Sequence, residues 1–332
     1  MLFWVGMVQG ICRGVLLERA PRQIAVDVLM EDSMGSTSHE AAGRRAARGF
    51  SRRSFLATAG LLGVATAAAA WGTGVQAAPD NDVAHTVFGI DPLIRTERLY
   101  SAARGRDVDI VAILPPGVPH EGLPMSLLLH GLHGNARNAA VGGLSEVLAV
   151  AVAARLVPAF GFLAVDGGDS YWHQRNVNDD PMRMLTDEVP TWLSERRLGG
   201  PVGEPFACTG ISMGGFGSLL YGRRRNERGR PANAIAAISP GLITSWDEMS
   251  KRNAFSSHEE WTALDPLRNI DKQGPAPTGV WVGDRDKFVE GCRQFIGAAP
   301  LEIGRVSPGG HTEEYWRTIT PEVVAFLGRH VR

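Results

Sequence analysis

Short apolar runs alternate with helical stretches from residue 98 onward, and this alternation limits the possible folds more than any other feature. Residues 125–129, 160–165 and 206–211 are almost continuously apolar, as expected of strands that are buried on both faces of a sheet. Strands that alternate with helices in this way form a mostly parallel sheet covered by helices on both sides. We therefore predict a single α/β domain.

The apolar pattern also predicts the order of the elements. Strands are expected at 98–103, 107–114, 125–131, 160–168, 206–211, 234–239, 279–284 and 301–307, and helices at 139–156, 180–198, 213–225, 287–295 and 312–329. The first two strands, separated by Gly105, are typical of an opening hairpin. Residues 240–277 are expected to form an excursion over the sheet edge or a small cap.

The N-terminal region has the features of an export signal. Arg52 and Arg53 precede a weakly apolar run, residues 55–71, that is rich in Ala and Gly. The run is shorter than the roughly 20 residues needed to span a bilayer, and a plausible cleavage site ends at Ala77. The pattern resembles a twin-arginine signal peptide over residues 34–77. An uncleaved membrane anchor and a buried Ala-rich helix are the alternatives.

About fifty residues precede the twin arginines, whereas such a signal normally lies near the start of translation. We therefore predict translation from Met34, with residues 1–33 as an untranslated or non-structural extension, residues 78–97 as a linker and residues 98–332 as the catalytic domain. The expected location is the cell envelope or the extracellular space, and the expected partner is the twin-arginine export machinery.

Composition argues against several other classes of function. The chain has 34 Lys plus Arg against 35 Asp plus Glu, with a formal charge of −1, so no nucleic-acid partner is expected. No Cys-x-x-Cys or His-Glu-x-x-His spacing occurs, and no metal site is predicted. Cys208 and Cys292 are expected to be two separate buried thiols, with a disulfide as the alternative.

A candidate nucleophile, Ser212, lies in the sequence Gly210-Ile211-Ser212-Met213-Gly214. The Gly-x-Ser-x-Gly pattern is weak by itself, because 40 of the 332 residues are Gly. Its position adds weight, since Ser212 directly follows a buried strand and precedes a helix. A tight turn of this kind exposes the serine in a strained conformation, and the flanking glycines relieve crowding between strand and helix.

A base and an acid come after Ser212 in the chain, each directly after a predicted strand. His311, preceded by two glycines, is the candidate base, and Asp284 and Asp286 compete as the acid that orients it. We favour Asp286, because the acid usually lies a few residues past the strand end; Asp284 would then cap a helix or pair with Arg285. The order Ser, acid, His is that of the α/β hydrolases.

An oxyanion formed at Ser212 needs two backbone donors. The N–H of Met213, at the start of the helix, is expected to supply one, and the N–H of Leu132, in the loop after the third strand, the other. His130 is expected to be a structural hydrogen-bonding residue beneath this site, and His133 an exposed loop residue.

The segments SLLLHGLHGN, DGGDSYWHQR, GISMGGFGSLLYG, GDRDKF and GGHTEEYWR occur in this order. Together they resemble the esterase family that includes esterase D, feruloyl esterases and mycobacterial mycolyltransferases, over about residues 98–329. The resemblance implies Ser212 as nucleophile, His311 as base, Asp286 as acid and Leu132 as an oxyanion donor. Mycolyltransferases carry glutamate where this chain has Asp286, which favours hydrolysis over acyl transfer.

The loop after the fourth strand contains Asp169, Tyr171 and Trp172. These residues are expected to border the pocket and contact substrate, or else to anchor the loop on the core.

The expected function is an exported serine esterase that acts on a small-molecule or lipid ester and needs no cofactor. The alternatives are an acyltransferase of the cell envelope and a noncatalytic envelope or matrix-binding protein.

Overall fold

The computed structural model describes residues 90–332. The predicted signal peptide, the start at Met34 and most of the predicted linker lie outside the described residues. Eight strands form one sheet in the described part: β1 (Leu93–Ser101), β2 (Arg106–Leu114), β3 (Met125–Leu129), β4 (Gly161–Val165), β5 (Ala207–Ile211), β6 (Ala234–Ile238), β7 (Thr278–Gly283) and β8 (Ile303–Ser307).

The order of strands across the sheet is β1-β2-β4-β3-β5-β6-β7-β8. β1 and β2 form an antiparallel hairpin, and β2 pairs antiparallel with β4. All other neighbouring strands are parallel. The carboxyl ends of six strands therefore meet at one edge, where open α/β sheets carry their functional groups.

The helices are α1 (Leu144–Ala153), α2 (Pro181–Arg183), α3 (Val189–Glu195), α4 (Met213–Glu227), α5 (Trp246–Ser250), α6 (His258–Leu264), α7 (Val289–Ala298) and α8 (Glu313–Arg329). Residues of α1 and α8 pack in the core on one face of the sheet, and residues of α3, α4 and α7 in the core on the other. The predicted mostly parallel sheet with helices on both faces is confirmed.

Several predicted boundaries were wrong for identifiable reasons. β1 begins at Leu93 rather than at residue 98, because this edge strand is largely exposed and lacks an apolar signal; the domain thus includes part of the predicted linker. α1 begins at Leu144 rather than at residue 139, after Gly142 and Gly143 with positive φ.

The helix predicted over residues 180–198 is interrupted by a π-helical segment, Met184–Glu188. Pro190 comes directly afterwards in α3 and has no N–H for the usual bond to the carbonyl four residues earlier. The excursion over residues 240–277 carries the short helices α5 and α6.

Cys208 and Cys292 are separate, buried and free, which confirms two buried thiols rather than a disulfide. Burial raises the pKa of both well above the usual value, so they are unreactive packing residues. Within residues 90–332, no helix is both long and apolar enough to cross a membrane.

Candidate active site

Ser212 occupies a strained turn between β5 and α4. Its φ of 56° and ψ of −116° are unfavourable for a residue with a side chain, and its N–H donates to the Ile238 carbonyl at 2.9 Å. A Cβ at Gly210 would lie 2.2 Å from the Gly214 oxygen, and one at Gly214 would lie 2.0 Å from the Leu129 oxygen. The glycines are thus required by the close approach of helix and strands.

His311 is held by Asp286, which lies just after β7. The His311 Nδ1 lies 2.8 Å from Oδ2 of Asp286, and Oδ1 of the same carboxyl accepts the Phe288 N–H at 2.9 Å. A Nδ1–H that donates to this carboxylate leaves Nε2 free to accept a proton. The carboxyl group is fully buried, while 16% of the His311 side chain is exposed.

Burial would raise the pKa of Asp286, but the hydrogen bond and positive charge of His311, the Phe288 N–H and the Ser239 hydroxyl together lower it below its usual value. The side chain is therefore a carboxylate at neutral pH. The imidazole ring also makes edge contacts with the rings of Phe288 and Trp316, at centroid distances of 5.1 and 5.2 Å. Position, tautomer and orientation of His311 are thus fixed from several sides.

Asp284, the competing acid, has other partners. Its Oδ1 accepts the Gly309 N–H at 3.0 Å and lies 3.4 Å from Nη1 of Arg285. It therefore fixes the backbone turn before His311, whereas Asp286 bonds to the imidazole ring.

Ser239 supports this arrangement and was not singled out from the sequence. It lies just after β6, is fully buried and accepts the Trp316 indole N–H at 3.2 Å, and its hydroxyl helps to lower the pKa of Asp286. Ser239 thus holds the tryptophan beside His311 and favours the ionised form of the carboxylate behind it. Its positive φ of 44° is visible only in the structure.

Ser212, His311 and Leu132 line one cavity of about 530 Å³. The structure thus brings the predicted nucleophile, base and one oxyanion donor together, from the ends of β5, β8 and β3. No hydrogen bond joins Ser212 to His311 in the described chain. Catalytic hydrogen bonds are commonly long without substrate and shorten when it binds.

Of the two predicted oxyanion donors, Leu132 lines the cavity, whereas Met213 directly follows Ser212 and is not among the lining residues. Met213 is the first residue of α4, so its N–H has no acceptor within the helix. The loop with Leu132 is held by Asp169, whose carboxylate accepts the His133 N–H at 2.7 Å and lies 3.0 Å from His133 Nδ1. Asp169 therefore acts on the cavity through the loop it fixes.

His130 lies buried under the same loop. Its Nε2 accepts the Gly167 N–H at 2.9 Å, so Nδ1 carries the proton and donates to the Gly131 carbonyl at 2.8 Å. Burial lowers its pKa. This neutral residue is structural, as the sequence predicted, and His133 is exposed, as predicted.

Tyr171 and Trp172 do not border the cavity, and this expectation is corrected. Both side chains are buried in the core, with exposed fractions of 2% and 0%. Positive φ values at the two residues turn the chain inward, and Gly167 and Gly217 leave room for the indole, which a Cβ at either would approach to 2.4 Å. These two aromatic residues anchor the loop rather than contact substrate.

Two basic residues of the cavity were missed from the sequence. Arg252 reaches it from the excursion after β6, and Lys287 is the residue directly after Asp286. Lys287 could have been predicted at the cavity, because it is the neighbour of Asp286 in the sequence. Arg252 could not, because neighbouring residues do not determine the path of a long connection. Among the described residues, no three potential metal ligands cluster.

Comparison with solved structures places the fold among known hydrolases. A ferulic acid esterase is 20% identical, with a TM-score of 0.60, over 73% of this chain and 100% of its own. An S-formylglutathione hydrolase from Agrobacterium tumefaciens is 15% identical, with a TM-score of 0.59, over 74% and 98%. An α/β hydrolase from the metagenome of Lake Arreo is 15% identical, with a TM-score of 0.54, over 72% and 82%.

These likenesses identify an α/β-hydrolase fold. A search of curated proteins finds no match. The sequence profile named Esterase and described as "Putative esterase" matches residues 101–327. Because this match covers most of the sequence, the chain belongs to the Esterase family.

Proposed function

We propose that this protein is an exported serine esterase that hydrolyses carboxylic esters through an acyl-serine intermediate. The observation that carries the proposal is the arrangement around the cavity. Ser212 and His311 line it together. His311 Nδ1 is hydrogen-bonded to the buried Asp286, so Nε2 is the nitrogen available to take a proton from Ser212.

In the first half-reaction, the Ser212 Oγ attacks the ester carbonyl while His311 Nε2 takes its proton. The carbonyl oxygen becomes an oxyanion, for which the N–H groups of Leu132 and Met213 are the donors. The tetrahedral intermediate then collapses: the bond to the alcohol oxygen breaks, and His311 returns the proton to the departing alcohol. An acyl-serine remains.

In the second half-reaction, water takes the place of the alcohol. His311 removes a proton from the water, whose oxygen attacks the acyl carbonyl. Collapse of the second tetrahedral intermediate releases the acid, and His311 returns the proton to Ser212. Asp286 stays ionised and stabilises the imidazolium formed in each half. No cofactor takes part in these steps.

The proposal is tested with phenyl esters of graded acyl length, assayed on the full chain and on Ser212→Ala. We expect Ser212-dependent turnover and labelling of Ser212 by an alkyl fluorophosphonate, measured as a mass shift on one peptide. Equal turnover by the two proteins would exclude Ser212 as nucleophile. Turnover by neither would favour the noncatalytic alternative, and transfer to an added sugar that outpaces hydrolysis would favour an acyltransferase.

Export rests on Arg52, Arg53 and the cleavage site at Ala77. In cells that have the twin-arginine machinery, we expect the secreted or envelope-associated protein to begin at Ala78. Replacement of both arginines by lysine should retain the precursor in the cytoplasm. An uncleaved protein in the membrane fraction would support an anchor instead.

A further inference from the structure

The active-site cavity is basic, although the chain as a whole is nearly neutral. Arg252 and Lys287 line it together with Ser212 and His311, and no Asp or Glu is among its lining residues. Within residues 90–332, neither basic side chain has a carboxylate within 4.0 Å. The Lys287 ammonium lies 5.1 Å from the centroid of the Phe288 ring, a contact that leaves its charge without an anionic partner.

Arg252 has a further unmet requirement. Its Nε is buried and has no hydrogen-bond partner. A buried guanidinium nitrogen without an acceptor is costly, because its hydration has been lost and nothing replaces it. An anion in the cavity would place a negative charge beside this guanidinium group, which lines the cavity.

A second cavity, of about 460 Å³, adjoins the first and shares Leu132, His133 and Arg252 with it. Four guanidinium groups line it against two carboxylates: Arg104, Arg106, Arg175 and Arg252, with Asp169 and Asp179. Both carboxylates are already engaged within the protein: Asp179 by Arg104 and Arg106, and Asp169 by His133. The positive charge therefore continues from Ser212 past Arg252 into this second cavity.

We propose that the ester substrate carries an anionic group, and that Arg252 and Lys287 bind it beside the scissile bond. This inference rests on the proposed esterase function and specifies its substrate class. A carboxylate or a phosphate would satisfy the guanidinium geometry of Arg252. Closely placed charges in a cavity with low-dielectric walls also raise the local concentration of an anionic substrate.

The test uses esters matched in shape but not in charge. For an anion on the acyl side, phenyl hemisuccinate is compared with phenyl levulinate. For an anion on the alcohol side, the acetyl ester of meta-hydroxybenzoate is compared with that of its N-methylamide. Each kcat/KM is divided by the rate of hydroxide hydrolysis of the same ester. We expect the anion to be preferred at least about tenfold in one of the two pairs.

The variants assign that preference to residues. Arg252→Gln should lower the ratio of anionic to neutral kcat/KM about tenfold, and Lys287→Gln should lower it by a smaller factor. Arg155→Gln removes the same charge from an exposed residue after the end of α1, and should keep the ratio. The preference should also fall as salt rises, because salt screens charge attraction.

Binding separates this inference from the proposed function. Calorimetry on Ser212→Ala with both compounds of each pair does not depend on turnover, and should show tighter binding of the anionic compound, reduced by Arg252→Gln. Failure of the wild type to hydrolyse any ester would overturn the esterase function alone. Equal binding and equal turnover within both pairs, or a preference unchanged in the Arg252 and Lys287 variants, would overturn the anionic substrate.

Discussion

Two serines with positive φ lie at the ends of neighbouring parallel strands, yet their surroundings differ. Ser212 lies after β5 with φ of 56°, and Ser239 lies after β6 with φ of 44°. Their N–H groups donate to the equivalent carbonyls of the next strand, at 2.9 Å to Ile238 and 2.7 Å to Trp281. Only Ser212 lines the cavity, whereas Ser239 is buried, accepts the Trp316 indole N–H and lowers the pKa of Asp286.

The difference teaches that a strained serine at a strand end is not by itself a nucleophile. The path of the chain after the turn decides the role. After Ser212 a helix begins at once and leaves an unpaired N–H beside the hydroxyl. After Ser239 the chain continues through Pro240 into the excursion, and α8 covers the hydroxyl with Trp316. Ser212 is therefore open to the cavity, as the proposed mechanism requires, whereas Ser239 is closed off beside Trp316.

The largest expected difference is in kcat between the variants Ser212→Ala and Ser239→Ala. Ser212→Ala should lower kcat by about 10⁴-fold or more, since loss of a serine nucleophile leaves only the background from binding and the oxyanion hole. Initial rates at saturating ester measure this effect. A Ser239→Ala enzyme impaired as severely would break the distinction between nucleophile and positioning residue.

The next largest loss of kcat is expected on substitution of Asp286. Asp286→Asn should lower kcat by about 10³-fold or more. The neutral amide can donate to Nδ1 and so favour the tautomer with the proton on Nε2, and it no longer stabilises the imidazolium. Asp284→Asn, the matched control in the same loop, should change kcat only a few-fold. Similar losses in both variants would contradict the assignment of Asp286.

Alanine at Gly210, near the first turn, should lower the free energy of unfolding more than alanine at Gly241, near the second. Gly210→Ala places a Cβ 2.2 Å from the Gly214 oxygen and should lower the free energy of unfolding by about 3 kcal/mol or more. Gly241→Ala meets its nearest atom at 3.4 Å, an ordinary contact, and should cost under about 1 kcal/mol. Urea denaturation measures both, and equal losses would mean that the two turns are equally crowded.

Ser239→Ala should lower kcat about tenfold with KM nearly unchanged, because the Ser239 hydroxyl favours the ionised form of Asp286 and losing a polar group beside a charge costs about 1.5 kcal/mol. If Ser239 acts through Asp286, the loss should largely vanish in the Asp286→Asn background. The opposite result would be that the two losses of kcat add in the double mutant, while fluorophosphonate labels Ser212 equally well in Ser239→Ala and in wild type. That result would indicate a general packing role for Ser239.

The smallest effect concerns pH. The pKa of Asp286 lies below its usual value in the folded protein, so its ionised form contributes stability above the unfolded value of 3.8. That contribution is lost as pH falls through the folded pKa. The stability difference between wild type and Asp286→Asn should therefore be smaller at about pH 3 than at pH 4.5, measured by urea unfolding. A constant difference would mean that the carboxylate gains nothing from its partners.

Much of the site was predictable because its residues adjoin elements with strong local signals. Ser212, Asp286 and His311 each lie just after a predicted strand, and parallel strands bring such positions to one edge. Tyr171 and Trp172 also come after such a strand, yet positive φ values turn them into the core. Strand-end position therefore predicts proximity to the site, but not the direction of a side chain.

By itself, the sequence determined the α/β class and the chain order of the candidate nucleophile, acid and base, because apolar periodicity, turn glycines and chain order are local properties. Only the tertiary structure decided that Asp286 rather than Asp284 bonds to His311, that Cys208 and Cys292 are not joined, and that Arg252 reaches the cavity. These contacts depend on the path of loops between elements. That path is set by packing over the whole domain and not by neighbouring residues.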